Sequence, residues 1–234
     1  MRLNKFLSSA GVCSRREADR LTEAGRVTVN DDPACLGQEV SDRDIVCVDG
    51  KQITDTQREV ILAVNKPRGV VVTTDRSHGD RLIGDLIDLP ERVFAVGRLD
   101  KESEGLILMT NNGDMSNRIQ KARGFHEKEY LVTVDKTVTE AFLKRMSSGV
   151  RLDELNWVTR PCRIKKTGER SFDIILTEGK NRQIRRMCHA FGYRVTELKR
   201  IRVMNILLGD LRPGRWRELS DDEVSRLKAL LGGE

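Results

Sequence analysis

Apolar residues recur at helical spacing at the start of the chain, at Leu3, Phe6 and Leu7, and Gly11 stops that run. Ser14 is a good N-cap and Glu17 follows three residues later, which predicts a capping box opening a second helix through Ala24. Ala18 and Leu21 face inward in that reading, and Gly25 ends the helix. Arg26–Asn30 alternates as a short strand, and Asp44–Asp49 gives another. Residues 50–59 are polar without a period and read as a linker. Ile61–Thr74 predicts two strands about a Lys-Pro-Arg-Gly turn, and Gly84–Asp88 a short helix. Further on, Asp114–Lys121 reads as a helix, and His126–Val134 alternates as a strand. Thr139 caps a helix through Met146, and strands are expected near Thr159–Lys165 and Ser171–Thr177. Lys180–Tyr193 opens a helix ending at Gly192, and Asp221–Leu231 is a last amphipathic one. Many strands with few helices predict a mixed, largely antiparallel α+β domain behind a small N-terminal unit. The boundaries expected are 1–49, a linker at 50–59, and 60–234.

Composition narrows the function classes. With 33% charged and 38% hydrophobic residues, the chain reads as globular. No apolar run approaches the roughly 18 residues of a membrane span. The broken apolar N-terminus reads as a helix rather than a signal peptide. The five cysteines show no C-x-x-C spacing, so a zinc site or disulfide framework is not expected and a cytoplasmic location is. The net charge of +6 gains meaning from its distribution. Residues 179–217 carry eleven Lys and Arg against two acidic residues, which points to a polyanion partner. Arginine predominates there, suiting bidentate phosphate contacts and stacking on bases.

The densest chemistry lies in Ala95–Asp114. One carboxylate, Asp100, sits between Arg98 and Lys101, after an apolar strand and before Gly105-Leu-Ile-Leu-Met-Thr110. A carboxylate held among cations on a turn suits a nucleophile or an electrostatic stabiliser. Taken alone, it also suits a solvated salt-bridged turn. Tyrosine occurs only twice in the chain, and Tyr130 follows Lys128-Glu129 on an alternating strand. As a core residue it needs no function; as an aromatic face it could lie under a base.

The order Gly-Arg-Leu-Asp-x-x-x-x-Gly-Leu resembles the catalytic motif of the pseudouridine synthases. More narrowly, the chain resembles the branch that modifies ribosomal RNA and carries an N-terminal S4 domain. Asn65-Lys-Pro-x-Gly-x-Val matches that branch's first motif, Lys128-Glu-Tyr-Leu-Val its tyrosine motif, and Glu178-Gly-Lys-Asn-Arg-Gln-Ile-Arg-Arg-Met187 its third. The first fifty residues are similar to the S4 RNA-binding domain, with Asp31-Asp32 and Arg43-Asp44 where glycine-containing turns are usual. Within the branch the likeness is nearest to enzymes of large-subunit ribosomal RNA.

The resemblance implies uridine isomerisation without metal or other cofactor, on a stem-loop of ribosomal RNA, most nearly 23S, with a transfer RNA loop as another target class. It implies Asp100 as the catalytic group and Arg98 as the residue occupying the space of an extruded base. It places Tyr130 on the uracil face, Ile184 against the base and Arg185 in an ion pair with Asp100. RNA contacts are implied for Arg2, Lys5, Arg15 and Arg16 on the S4 helices, and for Lys180, Arg182 and Arg186. Lys66 and Pro67 are expected to shape the cleft without reacting. Nothing in the sequence demands more than a monomer. Two other readings remain beside this one. One is a non-catalytic S4-type RNA-binding or ribosome-assembly protein. The other is an RNA glycosidase, for which Glu102 and Glu104 would have to share a site with Asp100.

Overall fold

The structure, a computed structural model, describes residues 1–54, 57–76, 79–121 and 124–232. His78 and part of the 50–59 segment lie outside them. Contacts divide the chain into two units. Met1–Val60, with Leu89–Val93 and Asn111–Gly113, forms the first, and Ile61–Asp88, Phe94–Thr110 and Asp114–Glu234 form the second.

In the first unit, helices α1 (Leu3–Ser9) and α2 (Arg15–Glu23) precede strands β1 (Val27–Val29), β2 (Asp32–Pro33), β3 (Val46–Val48) and β4 (Lys51–Gln52). The strands form an antiparallel sheet in the order β2-β1-β3-β4. Leu3, Leu7, Ala18, Val27, Val29, Val40 and Val46 make its core. Fully burying each of the larger side chains contributes about 1.5–3 kcal/mol. Ser14 Oγ accepts from the Glu17 amide at 3.2 Å, as an N-cap should. The Glu17 carboxylate does not close a capping box; it pairs with Arg20 at 3.3 Å. The turn at Asn30-Asp31 runs through left-handed φ values of 53° and 69° without glycine, a strain of roughly 1 kcal/mol per residue. Asn30 offsets part of this by donating to Asp44 at 2.8 Å and accepting from the Ile45 amide at 2.9 Å. The start of the expected linker is structured, because Lys51–Gln52 pairs with β3.

The second unit is built on one large sheet. Its strands are β5 (Ile61–Lys66), β6 (Phe94–Val96), β7 (Glu104–Thr110), β8 (Lys128–Val134), β11 (Arg163–Lys166), β12 (Ser171–Leu176), β13 (Val195–Val203), β14 (Ile206–Leu207) and β15 (Trp216–Glu218). A separate hairpin pairs β9 (Arg151–Leu152) with β10 (Trp157–Val158). The large sheet runs β11-β12-β8-β13-β7-β5-β15, with β14 on β13 and β6 on β7. Its pairings are antiparallel except β13 beside β7. The helices are α3 (Gly113–Gln120), α4 (Glu140–Ser147), α5 (Gln183–His189) and α6 (Asp221–Leu230). All six residues of β5 are buried, and so are the last six of β7, so both faces of the sheet are covered there. Met115, Ile119, Leu219 and Leu227 share a core cluster with Ala63, Leu106 and Leu108.

Three local expectations are corrected. The hairpin about Lys66–Gly69 does not form, because β5 already has β7 and β15 on its two edges. Val71 makes only a single bridge, to Leu82. The helix expected from Lys180 to Gly192 is shorter, Gln183–His189. The sequence reading places no strand at Val195–Val203, although this is a central one. Register shifts at Val195/Glu197 and Arg200/Arg202 break the alternation that would have marked it.

Candidate active site

Strands β6 and β7 form a hairpin whose connecting loop, 97–103, carries Asp100. Gly97 enters the loop at a φ of 76°. Leu99 is buried and anchors it, while Arg98 points outward and is exposed. The Asp100 side chain is 27% exposed, and its carbonyl accepts from the Ser103 amide at 3.0 Å.

The Lys-Pro-Arg-Gly turn supports this loop from below. Lys66 is fully buried, and its ammonium donates to the carbonyls of Val70 at 2.8 Å, Pro67 at 3.0 Å and Lys101 at 3.4 Å. The Gly69 amide donates to the same Lys101 carbonyl at 2.8 Å. Burial pulls the Lys66 pKa down to about 8, against the opposing pull of Asp100 and Glu104. Arg68 donates to the carbonyls of Glu102 (3.1 Å) and Thr196. The turn therefore fixes the backbone that follows Asp100, at Lys101 and Glu102.

Two arginines face the carboxylate. Arg185 Nε lies 3.8 Å and Arg182 Nη1 3.7 Å from Asp100 Oδ2. Arg185 is held in place by donating to the Val195 carbonyl at 3.2 Å and Ser103 Oγ at 3.3 Å. Its Nε is buried and makes no hydrogen bond, so it is free to close on a carboxylate. Burial and the neighbouring Arg182 lower the Arg185 pKa from its ordinary value, with Glu102 and Asp100 opposing. Arg182 precedes α5 with a left-handed φ of 52°, an uncommon conformation for a residue other than glycine.

Glu102 shares these cations. Its carboxylate is 3.2 Å from Arg182 and 4.0 Å from Arg185 Nε. Sequence reasoning weighed Glu102 only as a glycosidase acid and missed this role. Its place two residues after Asp100 was the available signal.

Tyr130 lies on the same sheet. The row Lys66–Gly105–Arg200–Tyr130–Ile174 runs across five neighbouring strands, residue opposite residue. Tyr130 is 8% exposed, on the second strand from β7 and so roughly 10 Å across the sheet from Gly105. Ile184 is buried on α5, one residue before Arg185.

The remaining sequence-derived residues divide. Lys180 is exposed and lies over the Trp157 ring at 4.2 Å. Arg186 donates to the Asn181 carbonyl at 3.2 Å and pairs with Glu154. In the other unit, Arg2, Arg15 and Arg16 are exposed and Lys5 is half-buried. The basic stretch 179–217 is not one RNA face. Arg200 is 4% exposed and donates to the Leu106 carbonyl at 2.6 Å. Arg202 pairs with Glu127 at 3.0 Å and Glu129 at 2.7 Å, and Arg217 with Glu223 at 2.7 Å. A strand interior needs such charges neutralised. Among the described residues, no three His, Cys, Asp or Glu side chains converge on a metal-sized site.

Comparison with known proteins fits this arrangement. A sequence profile described as RNA pseudouridylate synthase matches residues 60–190, and one described as S4 domain matches residues 1–46. The dual-specificity RNA pseudouridine synthase RluF of Salmonella typhi is 47% identical over 234 residues, covering 99% of this chain and 80% of the relative. The protein of the same name in Escherichia coli K12 is 48% identical over 233 residues, covering 99% and 79%. Ribosomal large subunit pseudouridine synthase B of Bacillus subtilis is 33% identical, covering 98% and 96%. A crystal structure of a pseudouridylate synthase superposes with a TM-score of 0.73 at 26% identity, covering 97% of this chain and 99% of its own. The non-catalytic and glycosidase readings give way to this evidence. The chain belongs to the RNA pseudouridylate synthase family, carries an N-terminal S4 domain, and is an RNA-modifying isomerase similar to RluF.

Proposed function

We propose that the chain isomerises a specific uridine of ribosomal RNA, most nearly of the large subunit, with Asp100 as the catalytic carboxylate. One observation carries this reading: Asp100 stands on a loop braced by Lys66 and Arg68, with Arg182 and Arg185 both within 4 Å of the same carboxylate oxygen. The reaction breaks the bond between uracil N1 and C1′ of the ribose, turns the base, and joins C5 to C1′. The C5 proton is then lost and N1 gains one. A carboxylate at that position stabilises positive charge at C1′ or bonds to it, and assists the proton steps. The two arginines orient the Asp100 carboxylate. Tyr130 and Ile184 supply the faces against which the base turns, and Arg98, exposed at the loop's edge, fills the space the base leaves in the RNA.

Arg2, Lys5, Arg15 and Arg16 hold RNA on the S4 domain, while Lys180, Arg182 and Arg186 hold it beside the catalytic loop. The enzyme acts in the cytoplasm as a monomer; its five free cysteines fit a reducing compartment. A transfer RNA loop is a second target class to be scored in the same assay. The S4 domain spans 1–49 and the catalytic domain begins at residue 60 in this reading.

The test is a pseudouridine map of cellular RNA by carbodiimide labelling and primer extension. Cells with wild-type protein, no protein and Asp100→Asn are compared. A uridine modified only with wild type supports the reading and identifies the substrate. Modification restored by Asp100→Asn removes Asp100 from the mechanism.

A further inference from the structure

A cleft of about 600 Å³ lies beside the catalytic loop, between the start of α5, the 151–154 segment and Tyr193–Val195. Five arginines line it: Arg151, Arg182, Arg185, Arg186 and Arg194. Its walls also hold three carboxylates, and each lies on one of these arginines. Glu102 is on Arg182 at 3.2 Å, Asp153 is on Arg151 at 2.9 Å, and Glu154 is on Arg186.

The two sides of these pairs differ in how firmly they are held. The side chains of Arg185 and Arg186 are 12% and 27% exposed, and each is tied to a backbone carbonyl, of Val195 and Asn181 respectively. The carboxylates of Glu102 and Glu154 are 62% and 71% exposed. An exposed carboxylate on such a pair contributes little and exchanges readily for a competing anion. A phosphodiester is such an anion and suits the planar fork of arginine. Arg182 just before α5 and Arg186 within it both line the cleft.

We propose that this cleft binds backbone phosphates of the RNA strand next to the target uridine, and that Glu154 and Glu102 hold its arginines as placeholders until those phosphates displace them. The proposal rests on the RNA-modifying function above. It adds a strand-binding subsite that includes Arg151 and Arg186, and a competition built into the cleft. It also gives Glu102 a purpose beside Asp100. When phosphate draws Glu102 off Arg182 and Arg185, Asp100 is left as the carboxylate facing Arg185 Nε.

The test is a double-mutant cycle read by filter binding of the full-length protein to large-subunit ribosomal RNA transcribed in vitro, over a range of salt. Glu154→Gln is expected to tighten binding about 2- to 5-fold. Arg186→Gln should weaken it and reduce the slope of log K against log salt by about 0.7–0.9. In the Arg186→Gln background, Glu154→Gln should then have no effect. That coupling separates a placeholder from general repulsion, which would act equally in both backgrounds. Should Arg186→Gln melt early, Arg151→Gln replaces it in the slope measurement, because Arg151 is 65% exposed and lies on another element. Additive effects in the cycle, or slopes unchanged in both arginine variants, overturn the proposal. Binding does not require Asp100 chemistry, so this outcome is independent of the pseudouridine map.

Discussion

Gly105 lies directly against the backbone of Arg200. A Cβ on Gly105 would stand 2.2 Å from the Arg200 carbonyl oxygen and 2.7 Å from its nitrogen. This is where the parallel β13 meets β7, five residues after Asp100. The glycine of the Gly-Arg-Leu-Asp-x-x-x-x-Gly-Leu motif is therefore a packing requirement. It lets β13 approach at the mouth of the catalytic loop, and its φ of 104° suits no other residue well.

Gly105→Ala is expected to cost about 3 kcal/mol or more, since a backbone atom cannot yield as a side chain can. Urea unfolding of the variant measures this directly. Pseudouridine formation should fall with it, because the displaced β7 start carries the Asp100 loop. A stable variant with wild-type activity would contradict the close approach.

Asp100→Asn should abolish turnover, by roughly 10³-fold or more, with little change in melting temperature. Arg185→Gln should lose activity and also stability, by about 1–3 kcal/mol, because the Val195 carbonyl and Ser103 hydroxyl lose their partner. Paired thermal melts and single-turnover assays separate the two residues. An Arg185→Gln enzyme with an unchanged rate would show that the ion pair does not serve catalysis.

Tyr130 is 8% exposed, so Tyr130→Ala would confound function with a cavity worth about 3–5 kcal/mol. Tyr130→Phe is the informative change. It keeps the aromatic face and is expected to retain most of the affinity for RNA. Tyr130→Leu keeps comparable bulk but removes the face, and its rate should fall at least about 10-fold if stacking on the base matters. Equal rates for the two variants would return Tyr130 to a purely packing role.

Lys66 links stability to pH. Its folded pKa of about 8 lies below the ordinary lysine value of roughly 10.4. Between those values the unfolded chain binds a proton that the folded chain does not, so stability rises with pH across that window. Below pH 8 both states are charged, and the burial penalty is fully present. Wild type measured against Lys66→Met isolates this group from the other titrating residues. The difference should shift toward wild type on going from pH 8 to pH 10, by on the order of 1–3 kcal/mol. A pH-independent difference would mean that Lys66 keeps its ordinary pKa.

Arg15 and Arg16 are exposed on α2. Changing both to Gln should weaken RNA binding and lower the salt slope by about 1–2, with turnover at saturating RNA unchanged. An unchanged slope would mean that these residues only solvate the helix.

The sequence by itself determined the parts of this protein that depend on near neighbours. Ser14 and Thr139 cap their helices, since a cap is a contact between residues three apart. The family was also legible, because its motifs are short runs read in order, and so was the α+β character. Tertiary structure decided the rest. It placed β13 in the centre of the sheet, where bulges hide its period, and kept Val70–Thr74 from pairing with β5 because both edges of β5 were taken. It also sorted the basic stretch 179–217. Arg182 and Arg185 face Asp100, Arg200 is buried on a carbonyl, Arg202 is neutralised by glutamates far away in sequence, and Arg217 by Glu223 at the start of α6. A run of like charges states how much charge is present. Which of those charges meet a carboxylate, and which meet solvent, is set by partners that only the folded sheet brings within reach.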